Sequence, residues 1–379
     1  MNTRIIKIGM DVHSTNYTLC AMEAKWNEPD QLIRNITVEP EIKNILKFID
    51  EIKERVGPES EITCGYEAGG LGYTIQRELK KKGINCIIMA PSTMKRTATD
   101  SRKKTDKRDA RNIAELLISG GYKSVYVLTE EDEDIRDYLR MRADLVDQRK
   151  RTMQEIQAFC LKHGEKYEGK TSWTEKHLEW LRKLELREIA RETLDEYISY
   201  YEQQEERIRE IEKRIEEISE KTVYVEKVHR LKCFLGIKTI TALSCIVEIG
   251  DYNRFRKARD FSSYLGLVPG QHESGNSEKR MPITKAGNQN LRKILVEASG
   301  GICKGRIGYK SKELKRRQKG NDRKIIAYAD HGNIRFRRKY YHMMHAGKQR
   351  NIAVTAVARE LSCFIWGMMT NHFESYSFS

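Results

Sequence analysis

Residues 4–12 read RIIKIGMDV, a short run rich in isoleucine and other apolar side chains. In a β-strand, successive side chains point to opposite faces. Gly9 has no side chain, so it leaves room beside Asp11 for a ligand or a backbone segment to approach. The sequence therefore predicts a strand with two different faces. The apolar face carries Ile6, Ile8 and Met10. The acid-bearing face carries Ile5, Lys7, Gly9 and Asp11.

The segments after this strand alternate in a definite order, and turn residues separate them. Two β-rich runs come first, and helical and β-rich runs then alternate. The predicted strands are 17–24, 32–38, 61–68 and 84–91, and the predicted helices are 41–56, 72–83 and 106–120. A three-stranded meander followed by α/β units is the element order of the ribonuclease-H-like fold. We therefore predict an α/β domain over residues 1–128.

Four acidic residues lie where predicted strands and a helix of this domain come together. Asp11 and Glu67 end two strands that the fold order makes neighbours, and Asp106 and Asp109 share one face of the third helix. Carboxylates this close repel one another unless a cation is bound. Mg²⁺, with Mn²⁺ as an alternative, suits such oxygen ligands beside phosphates. Ordinary surface acids are the competing interpretation. Basic residues around the third helix could meet phosphate, namely Lys103, Lys104, Lys107 and Arg108.

Residues 129–228 lack strand signals and are predicted to be helical, with a heptad pattern from Leu194. The core positions of this pattern recur three and four residues apart, at Leu194, Tyr197, Tyr201, Gln204, Ile208, Ile211, Ile215 and Ile218. A coiled coil between two chains is the preferred interpretation, with Gln204 setting its register. A long helix packed within its own chain is the alternative.

The chain of 379 residues carries a net charge of +15, which indicates a polyanionic partner, nucleic acid before a membrane surface. Residues 301–350 alone hold 16 Lys/Arg and 3 Asp/Glu, a net +13. Within residues 301–350, the stretch RFRRKYYHMM (335–344) interleaves aromatic residues with Arg335, Arg337 and Arg338. This combination suits contacts with the phosphates and bases of nucleic acid. A basic helix packed on its own domain is the alternative.

Other compartments and sites have weaker signals. We find no apolar run near 18 residues and no signal peptide, so we expect no membrane span. Eight cysteines without a C-x-x-C pair fit reduced thiols in a cytoplasm. His342 and His345 could share a metal, although two histidines without further ligands are more often structural.

Several motifs resemble those of the DEDD transposases, insertion-sequence family 110 with its 1111 branch. The N-terminal motifs are IGMDVHS, YEAGGLGY and KKTDKRDA, and the C-terminal ones include LGIKTITALSCIVEIGDYNRF and YLGLVPGQHESGNSEKRMPITKAGNQNLRK. The resemblance covers nearly the whole chain. It implies a RuvC-like N-terminal domain, a mostly helical C-terminal transposase domain over 229–379, and Asp11, Glu67, Asp106 and Asp109 as the catalytic acids.

The resemblance also implies a nucleophilic serine just before a glycine, which is Ser274 here. The family often has a Gly pair after this serine, whereas this chain has Gly275-Asn276, so Ser277 stays open as the nucleophile. The resemblance further implies a non-coding bridge RNA that pairs with donor and target DNA. It implies a homo-oligomer, a dimer or a tetramer, with active sites completed between subunits in a prokaryotic cytoplasm at the nucleoid.

A serine hydroxyl is a poor nucleophile without activation, and metal from the acidic domain is the preferred activator over His272. Attack on a phosphodiester would leave a phosphoserine link that a second strand can reverse. Candidate phosphate contacts near Ser274 are Lys279, Arg280, Lys285 and Arg292. The alternatives are a resolvase-type metal nuclease without serine chemistry and a basic nucleic-acid scaffold without activity.

Overall fold

The computed structural model describes residues 4–91, 105–274 and 277–373, without the side chains of 271–280. The chain divides into two compact units, Met1–Val127 and Leu128–Ser379.

The first unit contains a five-stranded mixed sheet in the order β3-β2-β1-β4-β5. The first three strands are antiparallel neighbours, while β4 and β5 run parallel to β1. The strands are β1 Ile5–Val12, β2 Tyr17–Ala24, β3 Gln31–Val38, β4 Glu61–Glu67 and β5 Asn85–Met89. This meander followed by parallel strands is the arrangement that the sequence predicted for a ribonuclease-H-like sheet.

Helices cover both faces of this sheet. The helices of the unit are α1 Ile42–Val56, α2 Thr74–Lys81 and α3 Asp106–Ser119. Apolar residues of α1 and α2 form one core with the buried side chains of Ile6, Ile8 and Met10. On the opposite face, Ala110 and Ala114 of α3 pack against β2. The alternation predicted for residues 4–12 therefore holds, because its apolar face is buried under two helices and its acid-bearing face lies under the third.

The second unit is mainly helical. Its helices are α4 Glu130–Lys162, α5 Glu175–Arg182, α6 Glu188–Ser219, α7 Val225–Leu231, α8 Thr239–Ile249, α9 Ala258–Tyr264, α10 Gln289–Ile302, α11 Lys312–Gln318, α12 Arg323–His345 and α13 Arg350–Met369. Between α9 and α10, β6 Pro269–Ser274 and β7 Ser277–Ile283 form an antiparallel pair. We call Pro269–Ile283 the serine hairpin; the sequence indicated no strands there.

The heptad face of α6 is buried within its own chain, against α4, rather than available for a second chain. Cross-helix ion pairs join Arg142 to Glu212 and Arg149 to Glu205, so the two helices run antiparallel. The intermolecular coiled coil is therefore wrong as an account of this face. The heptad pattern correctly predicted an apolar stripe, but an apolar stripe does not say which helix covers it. The amide of Gln204 is buried there without a hydrogen-bond partner among the described residues.

Two separate apolar clusters stabilise the second unit. One lies at the far end of the α4/α6 pair and joins Ile156, Leu181 and Tyr201. The other is the main core, which runs from Ile135 and Ile215 through Val228 to helices of the C-terminal region. This core crosses the predicted boundary at 228/229, which falls inside α7. The division into 1–128, 129–228 and 229–379 stays a prediction.

Helix α13 is long and apolar enough to cross a membrane by length and composition, which the sequence analysis did not anticipate. However, 61% of its most apolar 18-residue window is buried inside the protein. Val357, Leu361 and Phe364 lie in the main core. Helix α13 therefore packs as a core helix.

Candidate metal centre and serine hairpin

Two glycines bring α3 close to the sheet. Gly9 of β1 and Gly65 of β4 are paired in register on the acid-bearing face. A Cβ placed at Gly9 would lie 2.0 Å from the Ala110 carbonyl oxygen and 2.4 Å from the Ala114 nitrogen. At Gly65, a Cβ would lie 3.0 Å from Leu117 Cδ2. The space that Gly9 leaves beside Asp11 is therefore filled by the backbone of α3.

The same approach sets the positions of the acids. Asp11 and Glu67 are two residues beyond Gly9 and Gly65, so they share that face at the ends of adjacent parallel strands. Asp106 and Asp109 lie in the first turn of α3. The start of α3 is also fixed from β3, since Asn35 Nδ2 donates to the Lys107 carbonyl at 2.9 Å.

The closest ligand group found among the described residues is Asp11, His13 and Asp106, whose ligand atoms all lie within 4.8 Å of one another. His13 Nε2 is 3.3 Å from Asp11 Oδ1. Sequence reasoning missed His13, although the signal was present in the motif DVH two residues after Asp11. The turn between β1 and β2 brings its ring back over the strand end, and the His13 amide closes that turn by donating to the Asn16 carbonyl at 2.9 Å.

The electrostatics of this cluster suit a cation. Burial raises the pKa of Asp11, His13 opposes this rise, and Asp109 and Asp106 add to it. Asp11 Oδ2 is buried without a hydrogen-bond partner among the described residues. A buried carboxylate oxygen without a partner is costly. A divalent cation would satisfy it and offset the repulsion from Asp106 and Asp109, so these residues fit an oxygen-ligated metal.

The serine hairpin places the two candidate nucleophiles opposite each other in the backbone. Ser274 ends β6, Ser277 begins β7, and the two are register partners at the tip of the strand pair. Lys279 and Arg280 follow on β7, opposite His272 and Gln271. The backbone thus brings the serines and two basic residues to one short ribbon.

Comparisons with known proteins match two parts of the chain to transposases. A family model for IS110-type DEDD transposases matches residues 8–163, and the model for the transposase IS116/IS110/IS902 family matches 228–316. The transposase for insertion sequence element IS1533 of Leptospira borgpetersenii is 33% identical over 359 residues, covering 91% of this chain and 99% of that one. The chain belongs to the IS110-type transposases.

Further relatives of this transposase are similar over less of its length. A putative transposase, y4qE, of Sinorhizobium fredii is 34% identical over 80% of this chain and 74% of the relative. Among solved structures, Thermus thermophilus RuvC matches 32% of this chain and 99% of that one, with 12% identity and a TM-score of 0.25. The ribonuclease-H-like fold of the first unit follows from its strand order and strand directions.

The predicted basic residues of the transposase differ in what they can contact. Lys107 and Lys285 are exposed, and Arg108 is half-buried. Lys103 and Lys104 lie outside the described residues. Arg292 is half-buried, and Nη1 of its guanidinium donates to the Leu265 and Ala286 carbonyls at 2.8 and 3.0 Å, while its role as a phosphate contact stays a prediction. Arg292 therefore ties the base of the serine hairpin to the preceding helix.

On α12, the three predicted arginines have three different environments. Arg338 is exposed, and Arg335 is paired with Glu360. Arg337 is 5% exposed, and its prediction as a nucleic-acid contact is wrong. Its guanidinium instead donates to main-chain carbonyls at the end of α10 and in the segment after it, those of Ile302, Lys304, Arg306 and Tyr309.

Proposed function

We propose that the transposase cuts and rejoins DNA through a covalent phosphoserine intermediate, with a divalent cation held by Asp11, Glu67, Asp106 and Asp109. The observation that carries the metal half is the Asp11 oxygen that has no hydrogen-bond partner among the residues described, near Asp106 and Asp109, on a face that Gly9 and Gly65 open to α3. Mg²⁺ is the preferred ion, with Mn²⁺ as a substitute.

The covalent step is assigned to Ser274. Its hydroxyl oxygen attacks a DNA phosphorus and gives its proton to water, while the bond from phosphorus to the 3′ oxygen breaks. The 3′ oxygen takes up a proton, which leaves a 3′ hydroxyl and a 5′ phosphoserine link. A 3′ hydroxyl of another strand then attacks this link and releases the serine, so joining needs no ATP. A bound divalent cation supplies activation of the oxygen nucleophile and neutralises developing charge.

The carboxylates and basic residues have separate roles in this scheme. Asp11, Glu67, Asp106 and Asp109 would hold the cation. We assign the exposed side chains of Lys107, Lys285 and Arg338 to contacts with DNA or RNA backbones. Lys279 and Arg280 on β7 are assigned the same role.

Family membership supports two further parts of the proposal. A bridge RNA pairs with donor and target DNA and so sets the sites of exchange. The active complex is a homo-oligomer, a dimer or a tetramer. The net charge of +15 supports a polyanionic partner of either kind.

The test of the covalent step compares Ser274→Ala with Ser277→Ala on end-labelled DNA. We expect wild type and Ser277→Ala to give a protein–DNA adduct on a denaturing gel, and Ser274→Ala to give none. If only Ser277→Ala loses the adduct, the nucleophile is Ser277. If Ser274→Ala still cleaves and no adduct forms in any form of the protein, the metal nuclease interpretation replaces this one.

A further inference from the structure

The ring of His13 lies at the edge of the candidate metal centre, on the turn that joins β1 to β2. Its Nε2 is 3.3 Å from Asp11 Oδ1, and one ligand atom from each of Asp11, His13 and Asp106 fits within 4.8 Å. Ligand atoms about 2.1 Å from an octahedral ion lie roughly 3 Å apart when they are adjacent. The spacing of His13 and Asp11 is therefore that of two neighbouring ligands of one ion.

The exposure of the pair is asymmetric. The Asp11 side chain is 17% exposed, whereas that of His13 is 50% exposed. An ion bound at Asp11 would thus have His13 on its solvent side. The main chain that carries this ring is held in place, because the His13 amide donates to the Asn16 carbonyl and Val12 pairs with Tyr17 at the root of the turn.

We infer that His13 is a ligand, through Nε2, of the divalent cation held by Asp11 and Asp106. This inference rests on the proposed metal centre and extends its ligand set beyond the four acids. An imidazole ligand favours first-row transition ions over Mg²⁺. The centre should therefore bind Mn²⁺ more tightly than four carboxylates alone would.

The experiment uses Mn²⁺ as the probe on the full chain. Pulsed EPR detects hyperfine coupling from a nitrogen bound directly to Mn²⁺, and titration calorimetry gives the affinity. We expect nitrogen coupling in wild type and its loss in His13→Ala. We also expect Mn²⁺ affinity to fall by about 10- to 100-fold, the range seen when residues beside metal ligands are removed. Mg²⁺ affinity should fall less.

His229→Ala is the matched control, because His229 is also 50% exposed and has a carboxylate nearby, Glu220 at 3.9 Å. The control should keep the nitrogen coupling. Coupling that persists in His13→Ala, or Mn²⁺ binding without nitrogen coupling in wild type, overturns the inference and leaves the acidic centre in place. Mn²⁺ binding that is unchanged in Asp11→Asn overturns the centre itself and the inference with it.

Discussion

At the scale of single residues, Asp11 has the strongest conflict between folding and function. It is a carboxylate with one oxygen that has no hydrogen-bond partner in the described part of the chain, and two further acids act on it. Such a group destabilises the metal-free fold, and the proposed cation would compensate for this cost. Arg337 illustrates the opposite case, a charge that is fully engaged in holding the chain together.

We predict that Asp11→Asn lowers metal-dependent DNA cleavage by roughly 10³-fold, since a metal ion is worth several kcal/mol to the transition state. Cleavage of labelled DNA at saturating Mg²⁺ measures this. Asp50→Asn, an exposed acid on α1, is the control and should keep full activity. Equal cleavage by wild type and Asp11→Asn would remove Asp11 from the mechanism.

Asp11→Asn should also change how the stability of the protein depends on pH when EDTA keeps it free of metal. Burial, with the acids around it, raises the pKa of Asp11, so ionisation costs stability in the folded state. The metal-free wild type therefore loses stability as pH rises through that raised pKa, and Asp11→Asn does not. Thermal unfolding should show the variant as stable as wild type or more stable near pH 7.5, and the difference should close near about pH 4. A variant that melts well below wild type near pH 7.5 would contradict this.

At the scale of elements, the contact of α3 with the sheet depends on a missing side chain. Gly9→Ala would place a methyl group 2.0 Å from the Ala110 carbonyl, and neither backbone can yield locally. We expect a loss of about 3 kcal/mol in the free energy of unfolding, measured with urea, and weaker Mn²⁺ binding as α3 moves away. Gly70→Ala is the control, because nothing lies within 4 Å of its Cβ position. Unchanged stability in Gly9→Ala would mean that α3 does not pack this closely.

The far end of the α4/α6 pair should respond to pH through His177. This ring is 3% exposed, accepts from the Trp173 amide at 3.2 Å through Nδ1, and stacks on Trp180. Burial lowers its pKa, so its stabilising contribution is complete above about pH 6.5 and is lost as pH falls through the lowered value. Tryptophan fluorescence and thermal unfolding between about pH 7.5 and 5 should show this loss.

The control for this effect is His177→Asn, which keeps an acceptor for the Trp173 amide but cannot titrate in that range. Its stability should be lower than that of wild type and nearly independent of pH in the same window. If wild type is equally flat, His177 does not control this end of the helical pair.

The sequence could predict those elements whose pattern of residues lies within a short stretch of the chain. The strands of the first unit and the shared face of Asp106 and Asp109 come from periods of two and of three to four residues. The position of His13 depends on the path of a four-residue turn, which side-chain periodicity does not encode. Likewise, the heptads of α6 predict a stripe, while α4, its cover, lies elsewhere in the chain.

At the scale of the whole second unit, one buried acid joins three helices. Glu248 of α8 accepts two bonds from Arg140 of α4, at 2.8 and 2.9 Å, and one from Asn288, the N-cap of α10, at 2.7 Å. The charge pattern of the sequence did not identify this site, because isolated acids and bases within helices usually face solvent. It links α4 to the root of the serine hairpin.

We predict that Arg140→Met destabilises the protein by about 2–3 kcal/mol, because it leaves a charge on Glu248, whose side chain is 5% exposed. This is below the cost for a fully buried pair, since Arg140 is 40% exposed. Chemical denaturation is the measurement. Adding Glu248→Gln should recover part of the loss. Arg209→Met, from an exposed pair with Glu206, should change stability by less than about 0.5 kcal/mol.

The antiparallel pairing of α4 with α6 also restricts how the gene can change in length. Deleting one codon of α6 before Ile211 would rotate every later residue of that helix by about 100° relative to α4. Ile211, Ile215 and Ile218 would then leave the interface, and the Arg142–Glu212 pair would part. Functional relatives in which the α4/α6 pair is longer or shorter should therefore have insertions or deletions of equal length in both helices, in steps of whole heptads.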